Sequence, residues 1–132
     1  MKNFITSLLF VLLLAGCTTL PDLKNADKAF KAGDYATAAA QWKTLSDYGY
    51  PEAQMKLARL YEKGQGVEKN ETLAETYYLK AAAQNYSRAM FDLARFYERK
   101  KMKDQALDYY TQSARLGYAR AQEKVEKLKT TH

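Results

Sequence analysis

The chain has 132 residues, 47% of them hydrophobic and 27% charged, with a formal net charge of +6, one cysteine and one histidine. A single cysteine allows no disulfide within one molecule, and the single histidine is His132, the last residue, so no Ser-His-Asp, Cys-His or histidine-rich metal site can be assembled inside a fold. An excess of basic charge raises nucleic acid as a partner, and the start of the chain argues against it.

Residues 1–17, "MKNFITSLLFVLLLAGC", carry one early cation, Lys2, and then an apolar run from Phe4 to Leu14. This is the pattern of a secretory signal, and it is shorter than the roughly 20 residues a membrane-spanning helix needs. Its end, Leu14-Ala15-Gly16-Cys17, resembles a bacterial lipobox. That resemblance implies cleavage before Cys17 and acylation of the cysteine. Thr18 stands where enteric-type bacteria place the aspartate that retains a lipoprotein in the inner membrane, so the resemblance favours the outer membrane, facing the periplasm. The expected organisation is a signal over 1–16, a lipidated Cys17 with a short linker to 22, and one helical domain over 23–132. Loss of residues 1–16, whose one charge is Lys2, leaves 116 residues and a formal charge of +5. An exported, tethered chain does not meet nucleic acid. Anionic headgroups, cell-wall polymers or an acidic protein suit its charge better.

Beyond Cys17, apolar residues recur at spacings of three and four among Ala, Leu, Lys, Glu and Gln, which is a helical pattern. It predicts seven helices, over about 22–32, 34–48, 51–63, 70–84, 87–100, 103–116 and 119–130. Asp34 and Asn70 are expected N-caps, and Pro51 suits a first helical turn. The chain also repeats itself. Ala38, Ala74 and Ala106 are each followed four residues later by an aromatic (Trp42, Tyr78, Tyr110), then by Gly49, Asn85 and Gly117 where a helix ends, and by Tyr50, Tyr86 and Tyr118. The intervals are 36 and 32 residues, the mark of stacked helical hairpins.

The stretch "YEKGQGVEKN" at 61–70 has two glycines one residue apart and raises a phosphate-binding loop. That chemistry needs a preceding strand and either a third glycine or a Gly-Lys-Ser/Thr ending. Residue 69 is lysine and the preceding run is helical, so the expectation is a hairpin turn, with Gly64 ending one helix and Val67 folding back onto the pair. Between Tyr97 and Ala106 the later hairpin replaces the glycine turn with "ERKKMKDQ".

Residues 53–86, "AQMKLARLYEKGQGVEKNETLAETYYLKAAAQNY", resemble a Sel1-like repeat, with Ala53, Leu57, Ala58, Tyr61, Gly64, Gly66, Val67, Ala74, Tyr78, Lys80, Ala81, Ala82 and Gln84 in the family's places. Residues 89–118 match more weakly, and "AFKAGDYATAAAQW" is closer to a tetratricopeptide repeat. The resemblance implies an all-α fold, a right-handed α-solenoid of about three hairpins plus a C-terminal capping helix, used to hold other proteins. In such arrays the first helix of each pair lines the concave face. Carried onto this chain, that places Glu52, Met55, Arg59, Glu62 and Lys63 beside Arg88, Phe91, Arg95, Glu98 and Arg99, with Met55 paired to Phe91 and Arg59 to Arg95. Arg120 and Lys127 continue the row, and Leu23, Asp27 and Phe30 begin it.

No catalytic, metal or cofactor site is expected. Glu71 with Glu75 and Asp104 with Asp108 are one turn apart at helix starts, where acids complement the dipole, and Ser46, Ser87 and Ser113 have no base nearby. The expected function is a scaffold or assembly factor that binds an envelope protein or peptide of acidic character. Two alternatives remain: an inhibitor or immunity protein for a periplasmic enzyme, and, more remotely, a weak hydrolase. Lys100, Lys101 and Lys103 form a separate basic cluster at a hairpin tip, readable as a solvated turn or as a contact to lipid phosphate.

Overall fold

Asp34 and Asn70 start helices by the expected means: their side chains accept hydrogen bonds from the backbone N–H groups of Thr37 (3.1 Å) and Leu73 (3.0 Å). The computed structural model describes residues 21–130. It contains α1 (Leu23–Lys31), α2 (Tyr35–Asp47), α3 (Pro51–Lys63), α4 (Glu71–Ala82), α5 (Ser87–Arg99), α6 (Lys103–Arg115) and α7 (Ala119–Thr130), and no strand among the described residues. Each helix packs on its neighbours in sequence, and α3 also touches α5 directly. The result is an all-α solenoid of three hairpins, α1–α2, α3–α4 and α5–α6, followed by α7. Gly49, Asn85 and Gly117, with φ of 87°, 58° and 84°, mark the three turns between hairpins.

Alanines at the hairpin seams, Ala38, Ala58, Ala74, Ala94 and Ala106, are buried and allow close approach of the paired helices. Leu57, Leu60, Leu93, Phe96, Tyr78 and Tyr110 fill the remaining space. Short turns between antiparallel helices put chain ends at two edges. One edge holds the start of α1 and the turns at 48–50, 83–86 and 116–118; the other holds the hairpin tips at 32–34, 64–70 and 100–102. Side chains knit neighbouring units at both edges. Gln84 donates to Gln54 (2.8 Å) at the first, and Lys100 pairs with Glu71 (2.8 Å) at the second.

The loop at 64–70 is a packed turn. Gly64 ends α3 in the left-handed conformation with φ 66°, and Val67 is part-buried against the core. Gly66 matters for a further reason. A Cβ built on it would lie 2.3 Å from the backbone carbonyl of Tyr35, because the turn of the second hairpin presses on the start of α2 in the first.

A tyrosine-to-carboxylate bond recurs in the array. Tyr78 donates to Glu62 (2.9 Å) and Tyr110, at the same repeat position, donates to Glu98 (2.6 Å); Tyr97 donates to Glu75 (2.6 Å). Trp42 holds that position in the first hairpin, and its buried indole nitrogen has no partner among the described residues. Burial first, and then the neighbouring carboxylates, raise the pKa of all three tyrosines above the ordinary 10.0. The unfolded chain therefore loses these protons at lower pH than the folded one. The stability they contribute is complete below 10.0 and is lost as pH climbs above it toward the folded values. The melting temperature is expected to fall steeply above that point, and Tyr110→Phe, which cannot ionise, should flatten the fall in a pH series followed by circular dichroism.

Candidate functional site

The first helices carry a row of cations on one face because their register repeats. Glu52, Arg88 and Arg120 are equivalent in α3, α5 and α7, and so are Arg59, Arg95 and Lys127. The fold gathers most of these around a groove of about 570 Å³. From α3 it is lined by Arg59, Glu62 and Lys63; from α5, by Arg88, Asp92, Arg95 and Arg99. Tyr78 of α4 and Arg120 of α7 complete it. Six cationic side chains therefore face two carboxylates.

The arginines divide into two kinds. Arg59 donates from Nε to Asp92 Oδ2 at 2.8 Å and pairs with the same oxygen through its terminal nitrogen; Asp92 is only 5% exposed. Arg99 pairs with Glu62, whose other oxygen accepts the Tyr78 hydroxyl. Arg88, Arg95 and Arg120 make no hydrogen bond or ion pair among the described residues. The register explains the difference. The residue that meets Arg59 from the next unit is Asp92, whereas the equivalent residue for Arg95 is Lys124, which turns instead to Glu98 at 2.7 Å.

Six of the ten residues expected on the concave face line the groove: Arg59, Glu62, Lys63, Arg88, Arg95 and Arg99. Four do not. Met55 is completely buried, since α3 packs on α5 as well as on α2 and α4, so it cannot serve as an exposed apolar anchor. Phe91 is half-buried and stacks on Tyr110 and Tyr118 (5.4 and 5.2 Å) instead of pairing with Met55. Glu52 is bound to Lys56 (2.8 Å), and Glu98 is held by Tyr110 and Lys124. The sequence reading missed Asp92 and Tyr78. The signal for both was present in the spacing: Asp92 lies about one repeat beyond Arg59, and Tyr78 about half a repeat beyond Glu62, on the second helix of the same hairpin.

At the hairpin tip, Lys100 is committed to Glu71 and lies over the Phe96 ring (5.1 Å), so it is not an available basic contact. Lys101 and Lys103 are exposed and border a second cleft with Leu107 and Leu128. Cys17 and His132 lie outside the described residues. No group of His, Cys, Asp and Glu among the described residues could hold a metal ion.

Comparison with known proteins agrees with this architecture. The alginate biosynthesis protein AlgK of Pseudomonas putida is 53% identical over 45 residues, 34% of this chain and 9% of that protein. AlgK of Pseudomonas syringae pv. tomato is 38% identical over 89 residues, 67% of this chain and 18% of that protein. The chain thus spans less than a fifth of the length of these relatives. A crystal structure of a Sel1 repeat protein from Oxalobacter formigenes superposes with a TM-score of 0.74 at 33% identity, covering 81% of this chain and 46% of that one. A protective antigen of uropathogenic Escherichia coli with an SLR fold gives 0.75 at 28% identity, covering 80% of this chain and 25% of that one. The Sel1 repeat family matches residues 51–86 and 87–118, which are the α3–α4 and α5–α6 hairpins with their following turns. A Sel1 array is in general a protein-interaction scaffold, not typically an enzyme, and with two such repeats over more than half its length the chain belongs to the Sel1 repeat family.

Proposed function

We propose that this protein is a lipid-anchored scaffold of the bacterial envelope, tethered through Cys17 to the outer membrane on its periplasmic side, and that it captures a protein partner of acidic character in the cationic groove. The observation that carries this reading is the groove itself, in which six cations from three repeat positions converge and two carboxylates answer them. The envelope setting is supported by the apolar leader and the Leu14-Ala15-Gly16-Cys17 lipobox, and likeness to proteins named for alginate biosynthesis makes an assembly factor for a polysaccharide-producing machine the most specific version. The tether enters at the start of α1, on the edge opposite the hairpin tips. At about 1.5 Å per residue a 13-residue helix separates those edges by about 20 Å, so the tip lysines are poorly placed for the lipid surface to which the tether leads.

One experiment addresses both halves. Chemical crosslinking in intact envelopes, followed by pull-down, should recover a discrete partner with the lipidated protein. Cys17→Ser should shift the protein out of the membrane fraction or leave its leader attached, since acyl chains contribute about 0.8 kcal/mol per buried methylene. Arg95→Glu should abolish capture with the protein still anchored. Normal membrane retention of Cys17→Ser would refute the tether, and undiminished capture by Arg95→Glu would refute the groove.

A further inference from the structure

Three guanidinium groups in the groove, those of Arg88, Arg95 and Arg120, have no hydrogen bond or ion pair among the described residues, and their placement is specific. Arg88 and Arg95 are seven residues apart on α5, two helical turns on one face, which separates their origins by about 10 Å along the helix. Arg120 occupies the position of Arg88 one unit further on. Arg59 and Arg99, by contrast, are held by Asp92 and Glu62 and already have carboxylates.

Nothing in local helix stability explains Arg88 and Arg120. Both lie in the first turn of their helices, where a cation opposes the partial positive charge of the helix end. The N-cap of α5 is Tyr86, which gives no side-chain capping bond, and no acidic residue stands in the first turn to answer that helix end. A bound carboxylate would answer the guanidinium and the helix end together.

The lining also narrows the class of anion. Its one aromatic residue, Tyr78, is 1% exposed and its hydroxyl is committed to Glu62, so the groove offers no ring face on which a sugar or a base could stack. What it offers is forked donors at fixed intervals, which suit planar carboxylates.

We infer that Arg88, Arg95 and Arg120 form a three-point carboxylate site for an extended acidic peptide segment in which two acidic residues are three positions apart. In a polyproline II segment three residues complete one turn and advance about 9 Å, close to the interval between Arg88 and Arg95, so a Glu-x-x-Glu spacing puts both carboxylates on one side and in register while Arg120 receives a third acid or the peptide's own terminus. This rests on the groove being the partner site, and it adds which arginines bind and which spacing they read.

The test uses fluorescein-labelled ten-residue peptides and fluorescence anisotropy with the processed protein. One peptide carries Glu-x-x-Glu, one carries the two glutamates adjacent, and one has glutamines in their place. Binding should be at least tenfold tighter for Glu-x-x-Glu than for either control and should weaken as salt rises. Arg88→Gln, Arg95→Gln and Arg120→Gln should each weaken it several-fold with unchanged melting, whereas Lys101→Gln, at the hairpin tip, should leave it unaltered. Equal affinity for the two glutamate peptides would overturn the spacing, and a triple arginine variant that binds like the parent would overturn the site. An oligouronate that binds more tightly than Glu-x-x-Glu would overturn the peptide class. Should the envelope partner be lost with Arg95→Glu while no peptide binds, the groove reading stands and this inference falls.

Discussion

Gly66→Ala is expected to destabilise the protein by about 3 kcal/mol, a drop of roughly 10–20 °C in melting temperature for a domain of this size. Two costs add. The residue has φ 68°, and a side chain in the left-handed region costs about 1 kcal/mol or more. The new Cβ would also lie 2.3 Å from the carbonyl of Tyr35 and 2.6 Å from the nitrogen of Ala36, which are backbone atoms at the start of α2 and cannot swing aside like a side-chain tip. Gly64 has a similar φ of 66°, but a Cβ there meets Lys69 Cβ at 3.1 Å, a contact a small shift relieves. Gly64→Ala should therefore cost about 1 kcal/mol, little more than the strain alone. Thermal unfolding of the two variants side by side checks the order. Equal losses would mean that the turn can retreat from α2, and that the second hairpin is not locked to the first through this contact.

This contrast shows where sequence reading reached and where it stopped. The turn was legible: two glycines after a helical run, with Lys69 where a phosphate loop needs glycine, left a hairpin as the consistent reading. That Gly66 presses on Tyr35 was not legible, because the contact joins residues of different hairpins and depends on how closely units stack. The groove followed the same division. The resemblance to a repeat array, carried along the register of the first helices, placed Arg88, Arg95 and Arg120 on one face, since position along each helix fixes direction. Met55 was misplaced because α3 is covered by α2 and α4 and also by α5, and a pattern read within one hairpin does not count the third neighbour. Whether an arginine is free depends on the residue that arrives from the next unit, Asp92 for Arg59 and Lys124 for Arg95. That comparison was available in the sequence, but only by applying the repeat offset between units and not within them.

Arg59 and Arg95, equivalent in sequence, should therefore behave oppositely on truncation. Arg59→Ala removes the partner of a carboxylate that is 5% exposed and leaves it in the wall of the groove without a cation. Breaking a fully buried pair from one side costs about 3–5 kcal/mol; with the Arg59 side chain itself 33% exposed, water reaches part of the site and lowers the cost to about 2–3 kcal/mol. That is roughly 10–20 °C in melting temperature. Arg95→Ala removes a side chain with no ion pair among the described residues and should stay within about 0.5 kcal/mol of the parent. Asp92→Asn separates charge from packing: it keeps the shape and an acceptor for Arg59, so its loss should fall between the two. Pairing Arg59→Leu with Asp92→Leu should recover much of the stability lost by Arg59→Ala, since an apolar pair leaves no buried charge unanswered. Thermal melts of the four variants decide the matter. If Arg59→Ala and Arg95→Ala melt together, the Arg59–Asp92 pair contributes nothing to the fold, and both arginines would then be available to a partner.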